Sequence, residues 1–164
     1  MRIVRSARRT PRRALDDDLP PEATALRYIE SSALVAAILE RDAEALSDVR
    51  EVGQRATSAL TFAETVRALI RARAAGRISL REERSALRTF QRFARRCASI
   101  AVTEEILARA ARPFPVEPIR TLDAIHLATI ESISDVPQLV TVVTRDARVA
   151  RNARALGYAV APGE

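Results

Sequence analysis

The chain reads as an α/β protein, a three-layer α/β/α sandwich around a central, mainly parallel five-stranded sheet. Three observations predict this. Short apolar strands alternate with amphipathic helices over most of the length, and a helix is what carries the chain across to a parallel neighbour. Residues 139–143 (Leu-Val-Thr-Val-Val) form a continuous, largely β-branched run, as a strand buried on both faces requires. At 164 residues and 48% hydrophobic content, the chain can bury one substantial core.

The elements follow in order. Residues 26–29 form the first strand. Ser31 and Ser32 are placed to cap a helix whose apolar positions are Leu34, Val35, Ile38 and Leu39. A second helix is expected over 43–52 and a short strand over 56–60. Phe62, Val66, Leu69 and Ile70 recur at i, i+4, i+7 and i+8, one face of a third helix, which Gly76 ends. A long helix over 80–97, a strand over 98–102 and a helix over 103–112 come next. Pro113, Pro115 and Pro118 mark a loop before a largely apolar helix over 121–133. The strand at 139–143 leads into a helix over 146–156, a stop at Gly157 and a last strand over 158–160. Residues 1–25 differ from the rest. Arg2, Arg5, Arg8, Arg9, Arg12 and Arg13 precede Asp16-Asp17-Asp18 and Pro20-Pro21, with little to bury, so this segment reads as a basic, disordered tail ahead of a domain over 26–164.

Composition narrows the chemistry. Net charge is +6, which favours a polyanionic partner such as nucleic acid. All 27 basic residues are Arg, whose planar fork binds two phosphate oxygens at once. The absence of Lys excludes every lysine-dependent mechanism, including those of receiver domains and haloacid-dehalogenase-type phosphatases. One His cannot build a zinc site or a two-histidine nuclease. Only four Gly are present and no phosphate-cradling loop, which weakens nucleotide-hydrolysing and dinucleotide-binding readings. The single Cys97 excludes an internal disulfide and reads as a buried structural thiol on the helix that carries Leu87, Phe90 and Ala94. No apolar run reaches the length of a membrane span, and the basic N-terminus lacks the apolar stretch of a secretory signal. A cytoplasmic location is the default expectation.

Four acids share one setting. Glu30 ends the first strand. Glu64 sits in the first turn of the helix after the second strand, Asp123 in the first turn of the helix beginning at Thr121, and Asp146 just after the strand at 139–143. In a parallel sheet, strand C-termini and the following helix N-termini lie along one edge, where open α/β sheets carry their sites. Each acid also has a plain structural explanation. Thr61-x-x-Glu64 matches a capping box. Asp123 suits the helix dipole, and Asp146 suits an N-cap. Glu30 has no evident capping role. Four carboxylates on one edge of a basic protein repel one another, and Mg²⁺ or Mn²⁺ would remove that repulsion.

The segments Glu30-Ser31-Ser32-Ala33-Leu34-Val35, Ala63-Glu64-Thr65-Val66-Arg67-Ala68-Leu69, Leu122-Asp123-Ala124-Ile125-His126-Leu127-Ala128 and Val143-Thr144-Arg145-Asp146 resemble PIN-domain ribonucleases. Their order and spacing resemble the VapC-type toxins of bacterial toxin–antitoxin pairs, over roughly residues 26–161. The resemblance implies a five-stranded parallel sheet between helices and an acidic cluster of Glu30, Glu64, Asp123 and Asp146 that binds Mg²⁺ or Mn²⁺. It implies RNA cleavage by a water activated at that cation, leaving a 5′-phosphate and a 3′-hydroxyl. On this reading Glu30 and Asp123 are direct ligands, and Glu64 and Asp146 hold waters or a second ion. Thr144 matches a hydroxyl residue two before the last acid, and Ser31 and Ser32 support Glu30. A cognate antitoxin and a homodimer are the implied protein partners, with no membrane.

The sequence departs from the common pattern at Glu30, where most members carry Asp. The extra methylene adds about 1.5 Å of reach, and a misplacement of about 1 Å can cost roughly 10²-fold in rate. A catalytically weak or inactive PIN-like module that binds RNA or a partner is therefore the competing reading. Two further features bear on RNA. Arg81, Arg84, Arg88, Arg92 and Arg95 form one helical stripe, either an RNA-backbone track or a solvated face. Aromatics are 4% and Trp is absent, so recognition should rest on phosphate contacts and RNA shape. His126, one turn after Asp123, reads as a satisfied core residue. Its functional alternative is to shuttle a proton or orient Asp123.

Overall fold

A computed structural model describes residues 26–163. The expected basic tail over 1–25 lies outside the described residues. Five strands, β1 (Leu26–Ile29), β2 (Gln54–Ser58), β3 (Ala98–Ile100), β4 (Val140–Val143) and β5 (Ala159–Ala161), form one all-parallel sheet in the order β3-β2-β1-β4-β5. The chain fills the β2–β3 side first and the β4–β5 side second, so the topology reverses between β1 and β4. Their C-terminal ends flank the crevice where such sheets bind ligands.

Side chains alternate across the sheet as the pleat demands. Tyr28 is paired with Val142, and both face one core, while Ile29 is paired with Val143, and both face the other. The first core is closed by α5 (Glu104–Ala110), α6 (Thr121–Glu131) and α7 (Ala147–Ala155) through Ile106, Leu127, Ile130 and Val149. The second is closed by α1 (Ser31–Val35), a π-helical turn (Ala36–Glu40), α2 (Ala43–Arg50) and α4 (Leu80–Ala94) through Ala33, Leu34, Val49 and Phe90. Phe62 of α3 (Ala59–Ala74) adds a tilted ring contact to Phe90, with centroids 5.5 Å apart. The three-layer sandwich is thus as the alternation predicts.

Several boundaries move for identifiable reasons. β2 ends at Ser58 rather than at 60, because the Ser58 side chain accepts from the Leu60 amide and starts α3 three residues earlier than a Thr61 cap would. The helix after β1 continues as π-helix and stops at Arg41, whose φ of 58° is left-handed. β4 begins at Val140, since Pro137–Leu139 form a 3₁₀ turn. α4 ends at Ala94, so Cys97 lies beyond the helix and is half-buried rather than packed inside it. Burial still pushes its thiol up to about 12, which leaves it unreactive.

Leu127 is fully buried in the first core, one residue after His126. Leu127→Ala should cost about 2–5 kcal/mol of unfolding free energy, the usual toll of a buried leucine cavity. Urea unfolding with an unchanged slope would show it.

Candidate active site

The site starts at the switch between β1 and β4. The Glu30 amide donates to Val143 O at 2.9 Å, which ties the end of β1 to the end of β4. Glu30 has extended backbone angles (φ −86°, ψ 156°) and is itself the N-cap of α1. Its Oε2 accepts from the Ser32 amide at 3.0 Å, from the Ser32 hydroxyl and from the Thr144 hydroxyl at 2.9 Å, while Oε1 accepts from the Ser31 hydroxyl at 2.6 Å. This corrects the expectation that the serines cap the helix and that Glu30 caps nothing. The longer side chain folds back onto the amide two residues ahead, and the serine hydroxyls serve the carboxylate. Ser32 also accepts from the Arg145 amide at 2.8 Å, and Thr144 from the Asp146 amide at 3.0 Å. The loops after β1 and β4 are therefore one hydrogen-bonded unit.

Glu64 is not in a capping box. With Ser58 as N-cap it lies a turn deeper in α3, and the Thr61 hydroxyl is engaged by Thr57 at 2.8 Å. Glu64 Oε2 is instead 2.7 Å from His126 Nε2, and His126 Nδ1 is 2.7 Å from the Tyr28 hydroxyl. His126 Nε2 is also 3.7 Å from Glu30 Oε1. Burial opposes charge on His126, but its bond to Glu64 and the fields of Glu30, Glu64 and Asp123 outweigh it and raise the pKa. That direction favours a proton on the ring, whose two nitrogens face Glu64 Oε2 and the Tyr28 hydroxyl. Tyr28 stays protonated, held well above the ordinary phenol value by burial and by Glu30. His126 is thus a satisfied core residue, as expected, yet it also belongs to the site. It fixes Glu64 rather than Asp123.

Asp123 and Asp146 meet through a residue that the sequence reading missed. Asp146 caps α7 as predicted, Oδ1 accepting from the Arg148 amide at 2.7 Å. The Arg148 side chain then donates from Nε to Asp123 Oδ2 at 3.0 Å and from Nη2 to Asp146 Oδ2 at 2.9 Å. The legible signal was its position: a cation in the first turn of a helix opposes the helix dipole and needs another reason to be there. Desolvation raises the Asp123 pKa. The Arg148 bond pulls it back down, and the charges of Asp146 and Glu30 push it up again.

The four acids thus form two pairs, Glu30 and Glu64 around His126, and Asp123 and Asp146 around Arg148. Ligand atoms of Glu30, Glu64 and His126 fall within 4.8 Å of one another. The donors there are carboxylate oxygens of Glu30 and Glu64 beside one imidazole nitrogen, an oxygen-rich set that hard divalent cations accept. The residues therefore fit such an ion. Beside them, Arg145 reaches from the β4 loop to Asp48 Oδ2 at 3.0 Å, with Asp42 and Glu44 each 3.7 Å away, and pins α2 next to the site. Arg81, Arg84, Arg88, Arg92 and Arg95 are all exposed along or just past α4. No described helix is long and apolar enough to cross a membrane.

Residues 27–155 match the model of the PIN domain family. Ribonuclease VapC35 of Mycobacterium tuberculosis is 37% identical over 142 residues, which span 84% of this chain and 97% of the relative. Ribonuclease VapC46 of the same species is 35% identical over 135 residues, spanning 81% of this chain and 94% of that protein.

The raised His126 pKa sets a pH dependence for the cation-free protein. A proton held more tightly in the folded state stabilises it fully below the unfolded value of about 6.5 and is lost as pH rises through the folded value. Calorimetry should therefore show Tm falling as pH climbs above about 6.5, and His126→Asn should flatten that decline.

Proposed function

The chain belongs to the PIN-domain family of VapC-type ribonucleases, and from that premise we propose that it is the toxin of a type II toxin–antitoxin pair, an Mg²⁺- or Mn²⁺-dependent endoribonuclease acting in the cytoplasm. The observation that carries this reading is the convergence of the carboxylates on one sheet edge, with the ligand atoms of Glu30, Glu64 and His126 inside 4.8 Å. A divalent cation bound there would lower the pKa of a water and offset charge growing on a phosphodiester. Glu30 and Asp123 would hold it, and Glu64 and Asp146 would place waters or a second ion.

The chain's own residues do the rest. The Ser31, Ser32 and Thr144 hydroxyls aim the Glu30 carboxylate. The Tyr28–His126 pair aims Glu64. Such fixed geometry is what lets a site hold reacting atoms in line. The exposed arginines of α4 supply phosphate contacts for RNA, so binding should weaken steeply with salt. Activity would be held in check by an antitoxin whose chain lies across the helices near the acidic edge and offers an Arg to the carboxylates. A homodimer completes the expected assembly.

Asp123→Asn keeps the shape of the side chain and removes its charge. At saturating Mg²⁺ it should cut RNA roughly 10²-fold or more slowly than the unmutated protein, in line with the loss of a group that stabilises developing charge. Equal cleavage by both proteins would overturn the assignment.

A further inference from the structure

Arg148 has no place in the proposed chemistry, yet it bridges two of the four acids of the site. Its guanidinium joins the first turn of α6 to the N-cap of α7 by bonding Asp123 with Nε and Asp146 with Nη2. Its position is unfavourable to the helix it belongs to, since the N-terminus of α7 is already the positive end of the dipole. Two carboxylates compensate it, and they are two of the four acids at the edge. About a third of the side chain remains exposed, so the bridge lies at the surface rather than in the core. His126 plays the matching part for Glu30 and Glu64. Each carboxylate pair thus brackets one basic side chain.

We propose that Arg148 is a positioning residue for cation binding and RNA cleavage, fixing the separation of Asp123 and Asp146 and standing as the internal counter-ion against which the divalent cation competes. The inference rests on the proposed cation site. A planar fork suits this task because two of its nitrogens address two separate carboxylates at fixed spacing, whereas an ammonium delivers one point of charge. Two effects of opposite sign follow. Removing the positive charge leaves the acids more attractive to an incoming cation. Removing the fork lets Asp123 and Asp146 move apart, and the bound cation is then held in poorer geometry for the reaction.

The experiment uses the full chain and two variants, Arg148→Gln and Arg148→Lys. Mn²⁺ affinity is measured by titration calorimetry, and RNA cleavage at saturating Mn²⁺. Arg148→Gln should bind Mn²⁺ roughly tenfold more tightly yet cleave roughly 10- to 100-fold more slowly. Arg148→Lys should keep an affinity close to that of the unmutated protein and share the loss of cleavage. A purely structural role would lower affinity and cleavage together, so the opposite directions are the signature. Weaker Mn²⁺ binding by Arg148→Gln, or full cleavage by either variant, would overturn the proposal. If the unmutated protein itself takes up no Mn²⁺, the cation site fails and this inference with it. If it binds Mn²⁺ and depends on Asp123 but shows no opposed effects at Arg148, only the role of Arg148 fails.

Discussion

Mutual repulsion of carboxylates gathered at one sheet edge is the constraint around which this protein is arranged. Two like charges about 4 Å apart repel by about 4 kcal/mol at an effective dielectric near 20. A few such terms rival the whole stability of a domain, about 5–15 kcal/mol. The fold meets this by placing one basic side chain within each pair. His126 stands between Glu30 and Glu64, and Arg148 between Asp123 and Asp146. Both come from helices that carry the acids themselves or lie next to them, so the counter-charges are built into the same layer that closes the core. Three hydroxyls and the Ser32 amide complete the compensation at Glu30.

The topology explains why the acids meet at all. Reversal of strand order between β1 and β4 brings Glu30 next to the Thr144-Arg145-Asp146 segment, and the Glu30 amide to Val143 bond fixes that approach. Ser32 and Thr144 then knit the two loops together. α6 packs on the adjoining face with Leu127 and Ile130 buried, which places Asp123 and His126 one turn apart beneath the same edge. Core packing and site geometry are therefore set by the same residues: a shift of α6 would disturb both carboxylate pairs.

Much of this was legible in the sequence. Short apolar runs alternating with helical periodicity placed the five strands and the α-helices, and residues 139–143 announced a central parallel strand, though Leu139 belongs to a 3₁₀ turn. The four acids were legible as a set, because strand ends and helix starts share an edge in such sheets. What was not legible lies in side-chain direction. Thr61-x-x-Glu64 looks like a capping box, but Ser58 starts the helix earlier and turns Glu64 toward His126. Glu30 seemed to have no capping role because glutamate is an uncommon N-cap; only coordinates reveal a side chain that folds back on Ser32. Arg148 was hidden because its partners are 25 and two residues away in the chain, on different elements.

Glu30 is proposed to hold a cation, although the PIN-type pattern this chain resembles commonly has Asp at that place. Its capping role makes a clean test possible. Glu30→Gln keeps an acceptor for the Ser32 amide and the helix start, and loses the charge. Mn²⁺ titration and RNA cleavage on the same preparation, beside Glu30→Asp, decide the matter. The Gln variant should fold with little change in Tm, lose Mn²⁺ binding and cleave roughly 10²-fold or more slowly, while the Asp variant should retain both functions in substantial part. A Gln variant that binds Mn²⁺ and cleaves like the unmutated protein would reduce Glu30 to a helix cap and remove it from the cation site.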